Sequence, residues 1–151
     1  MLGTNGIFYG TTEYGGDFNL NAGWGFGTVF KVTAGDAQTS LASFGSTNGS
    51  YCISGLFQGS DGDFYGTTAG GGAGGGGTVF KIATNGVVTT LASFNGANGN
   101  SPQAPLVQGS DGNFYGTTTY GGPAGSGTVF KMTPSGLLTT LAAFGSRTNS
   151  P

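Results

Sequence analysis

Short apolar runs alternate with glycine-rich and polar turns along the whole chain, and no stretch shows the 3.6-residue period of a capped amphipathic helix. The last third reads most clearly. Pro105-Leu106-Val107-Gln108 is a brief apolar run that stops at Gly109-Ser110-Asp111-Gly112, whose Asp-Gly pair suits a tight turn. Asn113 to Thr118 follows, aromatic and β-branched, and gives way to a glycine-rich segment. Thr128-Val129-Phe130-Lys131-Met132 resumes as a strand, Thr133-Pro134-Ser135-Gly136 turns the chain again, and Leu137 to Phe144 completes the set. Both sides of these strands carry apolar groups, because Phe114 and Tyr115, Val129 and Phe130, and Leu141 and Ala142 are expected on opposite faces. A sheet with one wet face alternates apolar and polar residues instead. The pattern predicts sheets covered on both faces.

The same blocks return at fixed intervals. Thr28-Val29-Phe30-Lys31 recurs at Thr78 and Thr128, 50 residues apart each time. Phe8-Tyr9-Gly10-Thr11-Thr12 recurs at Phe64 and Phe114, and Leu41-Ala42-Ser43-Phe44 at Leu91 and Leu141. Phe8 precedes Thr28 by 20 positions whereas Phe64 precedes Thr78 by 14, so the first unit carries six extra residues there. Three units of about 1–50, 51–100 and 101–151 account for the chain. Four hairpin-connected strands in about 50 residues, repeated in tandem, match the blade of a β-propeller. The expectation is an all-β partial propeller of three four-stranded antiparallel blades, the first with only Met1-Leu2 for its inner strand; a β-solenoid or open stacked sheets are the alternatives. Three blades do not close a ring, which predicts either a fragment or copies that associate to complete one, for example two chains making six blades.

The run Leu106 to Thr118, followed by Gly127 to Lys131 and Leu138 to Leu141, closely resembles the GloVer tandem repeat of bacterial "choice-of-anchor" surface proteins. The resemblance spans all three units. More loosely, Asp111-Gly112-Asn113-Phe114-Tyr115 resembles the inner hairpin of six-bladed gluconolactonase-like and NHL-type propellers. The family resemblance implies extracellular or cell-surface display and a non-enzymatic scaffold role, and it transfers no catalytic residue. The N-terminal residues Met1 to Gly6 have neither the basic nor the apolar region of a secretory signal.

Composition narrows the chemistry further. Charged residues make up 7% of the chain and the net charge is −2, which leaves no basic surface for nucleic acid. No run approaches the length of an apolar membrane span. The absence of histidine excludes Ser-His-Asp and Cys-His nucleophile systems and histidine-ligated metals. The one cysteine, Cys52, cannot form an intramolecular disulfide and reads as a small buried apolar group. No cofactor and no metal site are expected.

Several local features admit two readings. Asp61, Asp63 and Asp111 could suggest calcium, but the spaced carboxylates of a calcium loop are incomplete; Asn5 holds the same turn position without charge, which favours a turn role. Residues 70–77 superficially look like a phosphate loop, yet a strand rather than a helix follows, so a short flexible rim loop is the better reading. Lys31, Lys81 and Lys131 recur after Phe and suit solvated strand positions more than an anion-binding ring. Glu13 and Asp17 are the only acids close together outside the repeated turns, too little for a glycosidase pair. The extended loop of the first unit is the most individual segment. Its Tyr14, Asp17, Asn19 and Trp24, with Tyr120 of the third unit, combine rings for stacking with partners for hydroxyl groups, as a sugar or protein ligand requires. A structural plug is the alternative for Trp24 and Phe26. A lectin-like propeller is thus the second functional reading, and a lactonase or glycosidase a weaker third.

Overall fold

The computed structural model describes residues 1–17, 19, 23–35 and 37–145, and these contain eleven β-strands and no α-helix. Strands β1 (Phe8–Thr12), β2 (Thr28–Val32) and β3 (Gln38–Ser43) form a first antiparallel sheet in that order. A second sheet runs β4 (Phe57–Gln58), β5 (Phe64–Thr68), β6 (Thr78–Ile82) and β7 (Val88–Ser93). The third repeats it with β8 (Val107–Gln108), β9 (Phe114–Thr118), β10 (Thr128–Met132) and β11 (Leu138–Ala143). In the first sheet the inner strand is reduced to a bridge between Leu2 and Phe8, reinforced where the Met1 ammonium donates to the Tyr9 carbonyl at 2.7 Å. Ladders stay within each sheet, which rules out a solenoid, where strands of successive repeats pair with one another. The three sheets do not close on themselves.

Turn chemistry sets the inner hairpins. The Asn5, Asp61 and Asp111 side chains accept the backbone N–H two residues on, from Ile7, Asp63 and Asn113, at 3.1, 3.2 and 3.1 Å. The carboxylates reach a second partner too, accepting the Tyr65 and Tyr115 hydroxyls at 2.7 and 2.8 Å. In the first unit the polarity reverses, and Asn5 Nδ2 donates to the Tyr9 hydroxyl oxygen at 2.9 Å.

The core lies between sheets. Tyr9, Val29 and Phe44 of the first unit meet Cys52, Phe64, Phe80 and Ile82 of the second. Tyr65, Val79 and Phe94 of the second meet Leu106, Phe114, Phe130 and Met132 of the third. Ring contacts repeat with the same geometry: Tyr9 on Phe64 at 4.0 Å and Tyr65 on Phe114 at 4.3 Å, Phe44 on Phe80 at 4.9 Å and Phe94 on Phe130 at 5.0 Å. Each sheet therefore has a forward face of Tyr, Val and Phe and a rear face of two Phe and an aliphatic residue. Adjacent positions do point to opposite faces in Phe64–Tyr65 and Val79–Phe80, as the sequence pattern predicts.

The third pair differs. Leu91 and Ala92 both pack on the forward core, as do Leu41 and Ala42. A β-bulge explains it: pairing of β6 with β7 jumps from Val79–Ala92 to Phe80–Thr90, so Leu91 has no cross-strand partner and alternation is lost. Residues 70–77 also differ from a flexible loop. Gly72 and Gly76 donate to Ser46 and Phe94 carbonyls at 2.9 Å each, Gly77 donates to Gly71, and Gly70 exchanges bonds with Ser50, so glycine serves close backbone approach. Polar bonds also cross between sheets, where the Thr4 N–H donates to Gln58 Oε1 at 2.9 Å and the Ser60 N–H to Gln108 Oε1 at 3.1 Å.

Candidate functional site

The β1–β2 connection, residues 13–27, holds most of the residues singled out for binding. Its base is fixed by backbone bonds: the Gly15 N–H donates to Trp24 O at 2.7 Å and the Gly27 N–H to Gly15 O at 3.1 Å. Thr12 Oγ1 donates to the Tyr14 carbonyl at 2.6 Å and also lies 2.9 Å from Thr28 Oγ1. This closure holds Tyr14 and Trp24 side by side, ring centroids 6.2 Å apart and inclined at 64°. Both are open to solvent, Trp24 at 67% and Tyr14 at 48% exposure, so neither ring is spent on the core. The plug reading of Trp24 does not match that exposure, whereas Phe26 is half-buried against the first core.

Tyr51, which the sequence did not single out, completes the group. It meets Tyr14 at 5.8 Å and Phe26 at 6.1 Å, both edge-on. Its backbone has φ of 61°, the left-handed region that side chains avoid, and Ser101 one unit later has φ of 56°. The conformation lets Tyr51 bond two loops at once: its N–H donates to Phe26 O at 2.9 Å while its carbonyl accepts from Ala69 at 3.0 Å. The signal in the sequence was faint, an aromatic where the third unit has serine.

Beside Tyr14 lies a groove of about 450 Å³ lined by Thr12, Gly15, Gly16, Thr28, Gln38, Ser40 and Ser43. Its walls are hydroxyl, carboxamide and glycine, with an aromatic lip. The Glu13 charge and its hydrogen bond hold the Tyr14 phenol above its ordinary value, so the ring is neutral and the hydroxyl keeps its proton across the physiological range. Asp17 and Asn19 are turned to one another, Asn19 donating from its backbone and its carboxamide to Asp17 Oδ1, each at 3.0 Å. Among the described residues no contact joins that pair to Tyr14 or Trp24. Tyr120 belongs to a different place: it is exposed on the β9–β10 loop of the third sheet, bonded through its backbone to Asn100. The structure thus gathers Tyr14 and Trp24 and leaves Tyr120 apart.

The second charged group sits at the β4–β5 hairpin. Lys81 Nζ lies 2.6 Å from Asp63 and 3.2 Å from Asp61, and 5.8 Å from the centre of the Tyr65 ring. Burial works against ionisation of Asp61, but the Tyr65 and Lys81 hydrogen bonds outweigh it and hold the carboxyl below its usual range. Asp63 first and then Asp61 hold the Lys81 ammonium above its ordinary value. Asp61 Oδ1 accepts the Asp63 N–H of the turn, and Asp61 Oδ2 and Asp63 Oδ2 both face Lys81. Among the described residues no group of three or more His, Cys, Asp or Glu is placed to hold a metal ion. Lys31 and Lys131 form no ion pair among the described residues, and their units lack the second acid that Asp63 provides. Cys52 is buried, and desolvation pushes its thiol up to about 12, which makes it inert rather than nucleophilic.

None of the described residues forms a helix long and apolar enough to cross a membrane. A comparison with curated protein sequences finds no match. Among solved structures, the X-ray structure of a candidate gluconolactonase is similar with a TM-score of 0.50 at 15% identity, over 92% of this chain and 53% of that one. The likeness is one of fold, and the chain spans about half the length of that protein. With three stacked antiparallel sheets built from one repeated pattern, and a family model matching residues 1–151 throughout, the chain belongs to the Gloeobacter/Verrucomicrobia repeat family.

Proposed function

We propose that this chain is a non-enzymatic repeat scaffold that displays binding loops at the cell surface or outside the cell. The observation that carries this reading is where the acidic groups go. Asp61, Asp63 and Asp111 are bonded within hairpin turns to Tyr65, Lys81, Asn113 and Tyr115, so the repeated carboxylates serve the scaffold. A general acid or base needs a free, poised carboxyl beside a substrate-sized cavity. The test is turnover on panels of sugar lactones and aryl glycosides. Rates at the uncatalysed background are expected; hydrolysis that Asp61→Asn or Glu13→Gln abolishes would overturn the reading. Display at the surface is tested separately, by protease shaving of intact source cells, where release of the repeat is expected and full protection contradicts it.

Carbohydrate binding is the second reading, and a specific observation favours it. The exposed Tyr14 ring stands at the lip of a groove walled by hydroxyls and a carboxamide, with the exposed Trp24 ring beside it, the kind of surface on which a sugar ring stacks and bonds. Binding on a glycan array that weakens at least about tenfold in Trp24→Ala and in Tyr14→Ala, a loss of roughly 1.4 kcal/mol, would establish it. Retention of binding in both variants removes the groove from consideration.

A further inference from the structure

The loop that carries Tyr14 and Trp24 also carries the net charge of the chain. Glu13 and Asp17 lie in it without a lysine or arginine. Outside it four acids and four cations balance, so the net charge of −2 belongs to these two residues. Lys31 pairs with Tyr9 toward the far end of β1 and β2, and the loop leaves that sheet from Thr12 and Thr28. The neighbouring connections, residues 44–56, 69–77 and 94–106, contain no charged residue. Three rings frame the same spot. Tyr14 meets Trp24 at 6.2 Å, inclined by 64°, and Tyr51 at 5.8 Å, inclined by 72°. Crossed faces of this kind make a notch rather than one flat platform, and a notch offers a round group two π faces at once. The Glu13 carboxylate bonds the hydroxyl of the middle ring, which holds that phenol above its ordinary value. Tyr120, at the matching loop position, is 58% exposed although Asn100 of the connection before it exchanges both backbone bonds with it, so the position stays open with a neighbouring unit in place.

We infer that Tyr14, Trp24 and Tyr51 with Glu13 form a binding site for a small organic ammonium ion, its alkylated nitrogen held between the ring faces and its charge met by the carboxylate. The ring faces attract a cation within about 6 Å of their centroids and show no such preference for a neutral group. The loop adds two negative charges with no cation beside them, which raises the local concentration of positive ligands. A bare metal ion does not fit, since it needs several oxygen or nitrogen ligands and no cluster of three acids, histidines or cysteines exists among the described residues. The same carboxylates repel phosphate, which selects a free ammonium compound over a phospholipid headgroup. The inference rests on the reading of these segments as binding loops and names the class of ligand. It uses the notch between the rings, not the groove walled by Thr12, Thr28 and Ser40.

Trp24 is the one tryptophan of the chain and reports on its own site. Its fluorescence is titrated at fixed ionic strength with choline chloride and with the uncharged carbon isostere of choline, for the unaltered chain and for Glu13→Gln, Tyr14→Leu and Tyr120→Leu. A saturable change with choline is expected, at an affinity at least about tenfold above that for the isostere. Glu13→Gln keeps an acceptor for the Tyr14 hydroxyl and removes only the charge; it and Tyr14→Leu should each weaken choline at least about fivefold. Tyr120→Leu, on a different loop, should stay within about twofold. All three residues are exposed, so the variants are expected to keep the circular dichroism of the folded chain. No saturable response to choline, equal affinity for the isostere, or undiminished choline affinity in either loop variant overturns the inference. Phosphatidylcholine vesicles that bind more tightly than choline overturn the choice of a free ligand. A glycan whose binding needs Trp24, in a chain that ignores choline, keeps the binding-loop reading and removes this one.

Discussion

Gly66 sits at the centre of β5, where a strand would ordinarily carry a β-branched residue. A Cβ there would lie 2.6 Å from Phe80 Cζ, and the same clash arises at Gly10 with Phe30 and Gly116 with Phe130. The glycine is a gap that lets the aromatic ring cross its neighbouring strand. Gly66→Ala is therefore expected to cost about 1–3 kcal/mol through overpacking. Gly55→Ala, whose Cβ would meet only Pro105 at 3.7 Å, should change stability by less than about 0.5 kcal/mol. Urea titrations of the two variants check the contrast. The hairpin acids give a pH signature at the same scale. Asp61 has a depressed carboxyl, so its contribution is present above its unfolded value near 4 and is lost as pH falls through the lower folded value. Tyr65 is raised to about 12, by burial and by its bond to Asp61, so its contribution is present below pH of about 10 and is lost as pH rises through about 12. Thermal midpoints are expected to be level between about pH 5 and 9 and to fall on either side. Asp61→Asn, which leaves the turn as Asn5 makes it, should flatten the acid limb and shorten the alkaline fall, which still begins near the unfolded tyrosine value of about 10 but ends at a lower pH, with a loss at neutral pH no greater than about 1 kcal/mol.

Among the elements, β5 is the one whose five residues are all buried, because sheets cover it on both sides, while β1 and β9 bear the same Phe-Tyr-Gly-Thr-Thr and are partly open. Position in the stack, not sequence, sets how much each strand contributes. Phe64→Ala removes a fully buried ring lying 4.0 Å from Tyr9 and should cost about 3–5 kcal/mol in equilibrium unfolding. The repeated blocks were legible in the sequence at this scale, and so was the two-sided apolarity that demands stacking. The displacement of Leu91 was not. A bulge depends on which residues β6 and β7 pair, and pairing partners are outside any single strand's pattern.

For the whole molecule, stability should grade from the middle sheet outward. Amides of β5 and β6 are expected to exchange slowest, with those of β1 and β11 at least about tenfold faster, since strands with little burial open locally at lower cost. Hydrogen exchange resolved by segment measures this, and equal protection in all three sheets would contradict the layered core. The rim site also belongs to this scale. Tyr14 and Trp24 were visible as unusual residues in an unusual loop, yet Tyr51 joins them from the connection between two sheets, 37 residues beyond Tyr14. Tyr120 looked equivalent and is not, because the third unit has Ala124 where the first has Trp24 and therefore no second ring beside it in its loop.

Taken alone, the order of residues decided that this chain is all β, that it repeats, that its turns are closed by Asn and Asp, and that its sheets require neighbours on both faces. These properties rest on local backbone preferences and on the alternation of side chains along a strand, which a linear pattern records completely. Only the folded arrangement decided which sheet is buried on both faces and which aromatic rings meet at the rim. Those outcomes depend on distances between residues far apart in the chain, and identical repeats acquire different surroundings simply by standing in the middle or at an end.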